Sequence, residues 1–271
     1  MSVSIVIPVF NQLHFTKICL ESLLPSLSQD CEIIIIDNGS SDGTDEYLSK
    51  YSNIKVITNE QNRGCAFAWN QGVKDSIAPW VAILNNDLIL SPNWLDGLLS
   101  FAEKKGVDII SPAFREGEYD YNIAEHSRNF VKLMHNVARI GVAQGICFMV
   151  RREVFERVGL FDENFRIGQF EDNDFFRRAK LAGFILGTTG LSFVHHFGSV
   201  TQKMICKECH DNTYEMENRI YFRKKWQLNW FKRFAERRYF KLRERLWSLS
   251  ERIRYGHTLV EKNIDGKIRY F

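Results

Sequence analysis

Short apolar runs and helical periods alternate through the first hundred residues. Ser4-Ile5-Val6-Ile7 predicts a β-branched strand that stops at Pro8. Phe15, Ile18, Leu20, Leu23, Leu24 and Leu27 recur near helical spacing and predict a helix over 14–27. Four isoleucines in a row, 33–36, read as a strand covered on both faces. The turn-rich stretch 37–44 leads to a short helix through Tyr47 and Leu48, then a strand over 54–58. A helix over 64–76, a strand over 80–84, a helix over 92–104 and a strand over 107–111 follow. This β-α-β-α order predicts an α/β fold with a parallel, doubly wound sheet. Ligands of such sheets sit beyond the carboxyl ends of the strands. The polar clusters at 8–12, 37–44, 59–64 and 85–87 each follow a strand, and are expected to line one crevice.

The pattern weakens between Phe114 and Ala143, where 115–121 is polar and reads as a loop. A glycine-containing strand over 141–150 precedes a helix over 152–158. Phe175, Phe176, Ala179 and Ala182 share one face of a helix over 171–182 that Gly183 stops. Two short strands are expected at 185–187 and 192–197, and helices from about 210 to 254.

Composition is that of a globular protein: 45% hydrophobic and 25% charged over 271 residues, with 17 glycines and five prolines. No run of 18 apolar residues occurs, and the N-terminus lacks the basic region and cleavage site of a signal peptide. A cytoplasmic location with six reduced cysteines is the expectation. The net charge of +3 hides an asymmetry: 219–254 hold 13 Lys/Arg against three Asp/Glu, and the remainder is net acidic.

Neither a G-x-x-x-x-G-K-S/T loop nor a G-x-G-x-x-G after the first strand is present, so neither glycine cradle holds a nucleotide here. Carboxylates stand at strand ends instead. Asp37 follows the isoleucines and Asp87 follows Val81-Ala82-Ile83-Leu84-Asn85-Asn86. Such a group accepts hydrogen bonds from a base or ribose, and tolerates a diphosphate when a divalent cation bridges the two. Taken singly, Asp37 reads first as a turn or helix-cap residue, and Asp87 reads equally as a turn residue before Pro92.

Six segments in order resemble the family 2 glycosyltransferases of the GT-A fold. They are Ile5-Val6-Ile7-Pro8-Val9-Phe10-Asn11, Ile36-Asp37-Asn38-Gly39-Ser40-Ser41-Asp42-Gly43-Thr44, Asn62-Arg63-Gly64-Cys65-Ala66, Leu84-Asn85-Asn86-Asp87, Gly159-Leu160-Phe161-Asp162-Glu163 and Glu171-Asp172-Asn173-Asp174-Phe175. Asn218-Arg219 through Trp226 extends the likeness, which covers about 3–226. The resemblance implies a mostly parallel nucleotide-binding sheet over 1–112, an acceptor-side half over 113–226, and a basic aromatic helical tail over 227–271. It implies an inverting transferase that moves a sugar from a nucleotide diphosphate to a saccharide or lipid-linked saccharide, in polysaccharide or glycoconjugate synthesis. Pro8, Asn11, Asp37 and Asn38 match positions around the nucleoside, and Asn62, Arg63 and Gly64 the loop that closes over it. Asn70, Gly145 and Asp174 are also placed on the substrate side. Asn85-Asn86-Asp87 stands where the family has D-x-D, with only the last position a carboxylate, so Asp87 becomes the ligand for Mn2+ or Mg2+. Asp172, with Glu171 beside it, matches the general base. By the residues alone, the same acids read as a cap paired with Arg177 or Arg178.

The resemblance also places a histidine at His195-His196 as a further metal ligand; neighbours on a strand point to opposite faces, so at most one ligates, and His195 is taken, with a solvent-facing or core histidine as the equal alternative. Cys206-Lys207-Glu208-Cys209-His210 has the haem-attachment spacing and zinc-ligand types, and reads first as an acceptor-side loop with incidental cysteines. The tail over 219–254 fits a packed helix pair or homodimer, or an anionic membrane surface; no nucleic-acid motif accompanies its charge. A nucleotidyltransferase and an inactive nucleotide-sugar-binding relative are the competing functions. The first of these wants a basic loop after the first strand, where Pro8-Val9-Phe10-Asn11-Gln12 carries no charge.

Overall fold

The computed structural model describes residues 1–27, 30–198, 200, 201, 204 and 213–271. Strands β1 (Val3–Val9), β2 (Cys31–Asp37), β3 (Lys55–Thr58) and β4 (Trp80–Leu84) run parallel, with β1 between β2 and β4. Helices α1 (Leu13–Leu23), α2 (Thr44–Leu48) and α3 (Cys65–Asp75) make the crossovers. The β1 strand runs two residues past Ile7, through the proline. Its register with β4 ends at Val6–Ile83, so Pro8 faces only β2 and its missing N–H costs no bond on the β4 side.

Then come β5 (Leu88–Leu90), α4 (Trp94–Lys105), β6 (Ile109–Gly117), α5 (Ile123–Met134), β7 (Ala138–Ile140), β8 (Cys147–Arg151), α6 (Arg152–Val158), α7 (Glu171–Leu181) and β9 (Leu186–His196). The chain continues with α8 (Thr213–Lys225), α9 (Trp230–Tyr255), β10 (Val260–Ile264) and β11 (Lys267–Tyr270). The main sheet has the order β11-β10-β6-β8-β4-β1-β2-β3, and β9 pairs with β5, β6 and β7. Strand β8 is antiparallel to both β4 and β6.

Both faces of the sheet are covered. Val3, Ile5, Ile7 and Val9 pack with Leu20, Leu23, Leu98 and Phe101 of α1 and α4. Val6, Val81 and Ile83 pack with Trp69, Phe155, Phe175 and Phe176 of α3, α6 and α7. A period of two with both phases apolar gives the uninterrupted runs seen in the sequence.

Three expectations change. Residues 115–117 extend β6 rather than opening a loop, because β9 and β10 pair with them. The two short strands at 185–197 are one, β9. The tail is not helical to its end: after α9, β10 joins β6 in parallel and β11 closes a hairpin.

Candidate active site

The carboxyl ends of β1, β2 and β4 converge on a cavity lined by Pro8, Val9, Phe10, Asn38, Asn62, Cys65, Asn85, Asn86, Asp87, Ile167, Val200 and Thr201. All four strand-end clusters thus contribute, either to its wall or just beneath it. Asn38 stitches two of them together. Its amide donates to Asn62 Oδ1 (2.9 Å) and the Gly64 carbonyl (3.3 Å), and its oxygen accepts from Asn59 Nδ2 (3.0 Å) and the Arg63 N–H (3.2 Å). Asp37 lies below, 1% exposed; Oδ1 accepts from the Ser40 N–H (3.0 Å), while the buried Oδ2 has no partner among the described residues. An orphaned carboxylate oxygen just beneath such a crevice is suited to an incoming N–H or O–H. Asn11 holds the 40–41 turn, accepting from the Ser41 N–H and donating its own N–H to Ser40 Oγ. Arg63 stacks on Phe67, 3.4 Å from the ring centre, outside this cavity wall.

A second cavity of about 580 Å3 adjoins the first, sharing Cys65 and Asn85. Gly145, Gln169, Phe170, Glu171, Asp172 and Asn173 line one side; Phe114, Glu116, His196, Glu244, Lys262 and Phe271 line others. Asp172 Oδ1 accepts from the Asn173 N–H (2.7 Å) and Asn173 Nδ2 (2.9 Å). Asp172 Oδ2 lies against Gly145, where any Cβ would collide with it. Gly145 is therefore a close-approach position that admits the carboxylate.

The segment leading into α7 is strained: Ile167, Gln169 and Phe170 have φ of 60°, 79° and 76°. Each such residue costs about 1–3 kcal/mol unless its surroundings hold it. Buried Asn218 of α8 does so, donating to the carbonyls of Arg166, Gly168 and Gln169 and accepting from the Arg166 N–H. Gly64 contributes too, with φ +90° and Ile167 N 3.0 Å from where its Cβ would stand. The strain presents Glu171 and Asp172 to the cavity from a fixed loop.

Burial, then the charge of Asp172, pushes the Glu171 carboxyl up to about 8; burial also raises Asp172. Glu171 is the more deeply buried of the two and its Oε2 has no partner among the described residues, so it is the one to hold the proton while Asp172 carries the charge that raises it. A folded-state value above the unfolded one means that native Glu171 binds more protons. Its contribution to stability is then full below about 4.5 and is lost as the pH rises through about 8. Glu171→Gln is expected to match the parent in unfolding free energy at pH 4, and to exceed it by on the order of 1 kcal/mol or more above pH 8. Urea titrations at the two pH values check this.

Of the two histidines, His196 is the one beside Asp87. Its Nε2 lies 3.3 Å from Asp87 Oδ2, and its Nδ1 lies 3.3 Å from Glu116 Oε2. Neither ring nitrogen makes an aligned hydrogen bond among the described residues. Burial disfavours the imidazolium, yet the Asp87 and Glu116 charges prevail and raise His196 to about 9. His195 is turned away on the other face of β9. Its Nε2–H donates to the Gly117 carbonyl (3.1 Å), its Nδ1 accepts from the Tyr121 hydroxyl (2.9 Å), and burial lowers it to about 4. His195, the expected ligand, therefore does not stand beside Asp87; the Leu88–His196 pairing puts the ring of His196 there instead.

Asn70 and Asp174 are not in either wall. Asn70 brackets Phe161, accepting from its N–H and donating to its carbonyl, both at 2.9 Å. Asp174 is buried among Arg178, Lys225 and the Trp226 indole N–H. Asn86, though it reaches the first cavity, donates to Thr16 of α1. Sequence reasoning missed Glu116, Lys262 and Phe271, which lie on the β6 extension and the hairpin. The Cys206–His210 motif lies outside the described residues.

The model of Glycosyl transferase family 2 matches residues 4–159. Glycosyltransferase AglE of Haloferax volcanii is 27% identical over 71% of the chain and 64% of its own length, so the chain spans under two thirds of that relative. S. aureus TarS 1–349 superposes with a TM-score of 0.58 at 17% identity, over 73% of this chain and 60% of that one. GalNAc-T7, solved with UDP, GalNAc and Mn2+, gives 0.60 at 18% identity, over 73% and 44%. These two likenesses describe a shared GT-A fold. Because the family model takes in more than half of the 271 residues, from β1 through α6, the chain belongs to glycosyl transferase family 2.

Proposed function

We propose that the chain is an inverting transferase that moves a sugar from a nucleoside diphosphate to the hydroxyl of a saccharide or lipid-linked saccharide, in polysaccharide or glycoconjugate synthesis. The observation that carries this reading is the meeting of two cavities at Cys65 and Asn85, with Asp87 on one side and Asp172 on the other. The donor occupies the first cavity. Asp37 Oδ2 accepts from the nucleobase, and the Asn38–Asn62–Gly64 net shapes the wall around it. The acceptor enters the second cavity and gives its hydroxyl proton to Asp172 Oδ2. The acceptor oxygen then bonds to the anomeric carbon as the bond to the diphosphate oxygen breaks on the opposite face. A single displacement of this kind inverts the anomeric centre.

Asp87 Oδ2 is the hard oxygen donor that suits Mn2+ or Mg2+, and His196 Nε2, 3.3 Å from it, would join as a ligand only on losing the proton that the Asp87 and Glu116 carboxylates favour. Among the described residues no group of three or more His, Cys, Asp or Glu could hold a metal ion, so the remaining ligands come from the diphosphate and water. When bound, such a cation neutralises the leaving diphosphate.

The test is release of nucleoside diphosphate from a panel of sugar nucleotides with Mn2+, repeated with a chelator. Turnover of one donor that the chelator removes is expected. Asp87→Ala is expected to weaken metal-dependent donor binding by at least about tenfold by calorimetry, since even outer partners of a metal site are worth 10–100-fold. Equal affinity in the variant would remove Asp87 from the site.

A further inference from the structure

We propose that the outward face of α9 docks on an anionic lipid bilayer. The helix has 26 residues and, among the described residues, only Glu251 of it is buried. Ala235, Tyr239, Leu242, Leu246, Leu249 and Ile253 alternate at spacings of four and three, one continuous stripe along the helix. The five larger residues are between 58% and 74% exposed. At its N-terminal end Trp230, Phe231 and Phe234 are exposed as well.

Charge decides what covers this stripe. None of the three acids of α9 lies in the stripe, and two of them are paired with arginines of other elements. Glu236 pairs with Arg177 (3.2 Å), Glu251 with Arg139 (2.8 Å), and Glu244 faces the acceptor-side cavity. Arg238, Arg245 and Arg252 each stand one residue before Tyr239, Leu246 and Ile253, and are exposed, as are Lys241 beside them and Lys232 and Arg254 on the other border. The apolar stripe is thus bordered by cations on both sides. Its spacing would also serve a two-helix coil with a second copy. In that coil the Arg238 row would meet itself, or a row of Glu236, Arg243 and Ser250 whose one acid is taken by Arg177. Like charges oppose that pairing in either orientation. A bilayer bearing anionic headgroups satisfies both features: the stripe enters the acyl boundary and the long basic side chains reach the phosphates. No helix among the described residues is long and apolar enough to cross a membrane, so the contact is one of surface.

The experiment is sedimentation of the full chain with vesicles of phosphatidylcholine alone, and of phosphatidylcholine with phosphatidylglycerol, without donor or acceptor. It therefore reads independently of catalysis. Binding to the mixed vesicles only, weakening with salt, is expected. Leu246→Glu with Leu249→Glu should lower it by at least about tenfold, as should Arg238→Gln with Arg245→Gln. Both pairs are exposed, and unchanged circular dichroism verifies their folding. Equal binding to neutral vesicles, or none to either, overturns the proposal. So does a concentration-dependent dimer that Leu246→Glu dissolves, which would give the stripe to a second copy.

Discussion

Asp172→Asn is expected to lower the rate of sugar transfer by ~10²–10⁴-fold while leaving donor affinity within about twofold, the range attached to a positioned proton acceptor. The substitution keeps the shape of the side chain and an oxygen for the Asn173 N–H, so the strained loop and Gly145 face an isostere. What it removes is the negative charge beside the acceptor cavity. The donor cavity, walled by β1, β2 and β4, is untouched. The pH profile supplies a second reading. Both carboxyls of the pair are raised by burial, so the acid limb of the rate should lie above the ordinary carboxylate range of about 4. Single-turnover rates across pH check both statements. A variant with near-normal transfer would show that the proton goes elsewhere.

The elements legible in the sequence are those in which local pattern and tertiary burial agree. Residues 80–84 and 152–158 were bounded correctly because one is apolar throughout and the other carries a clear period with a glycine after it. The β6 extension failed that test for a physical reason. Arg115 and Glu116 are charged, yet they sit in a sheet because Glu261 and Lys262 of β10 neutralise them, at 2.6 Å in each pair. Partners nearly 150 positions away leave no trace in a local window. The hairpin did leave one. Asp265-Gly266 between Ile264 and Lys267 is a two-residue turn signal, and both residues have positive φ. The parity of His195 and His196 depends on the register of β9 with β5, which composition and spacing do not carry. The strand-end acids were legible because the β-α order alone brings carboxyl ends together.

The other large effect concerns stability. Glu251→Ala is expected to cost about 3–5 kcal/mol, the range for removing one partner of a buried ion pair. Arg139 Nε and Nη2 donate to the two Glu251 oxygens at 2.8 Å each, and Glu251 Oε2 also accepts the Leu259 N–H at 3.0 Å. Arg139 donates further to the Phe271 carbonyl at 2.6 Å. The pair therefore ties β7, the single buried residue of α9, and both ends of the hairpin segment into one knot. Without the acid, the guanidinium stays buried at 3% residue exposure with its charge uncompensated. Exposed pairs such as Lys50–Glu46, 4.0 Å apart, set the contrast: Glu46→Ala should cost about 0–1 kcal/mol. Arg139→Met combined with Glu251→Leu should recover most of the loss, because the penalty belongs to the orphaned charge rather than to the absent attraction. Urea unfolding of the three variants decides it, and a Glu251→Ala loss under about 1 kcal/mol would refute the knot. The consequence for activity is directional. Glu244, Lys262 and Phe271 wall the second cavity, proposed for the acceptor, from α9 and the hairpin, while no residue of either borders the first. Loosening the knot should therefore weaken acceptor use before donor binding, and place the C-terminal elements on the acceptor side of the reaction.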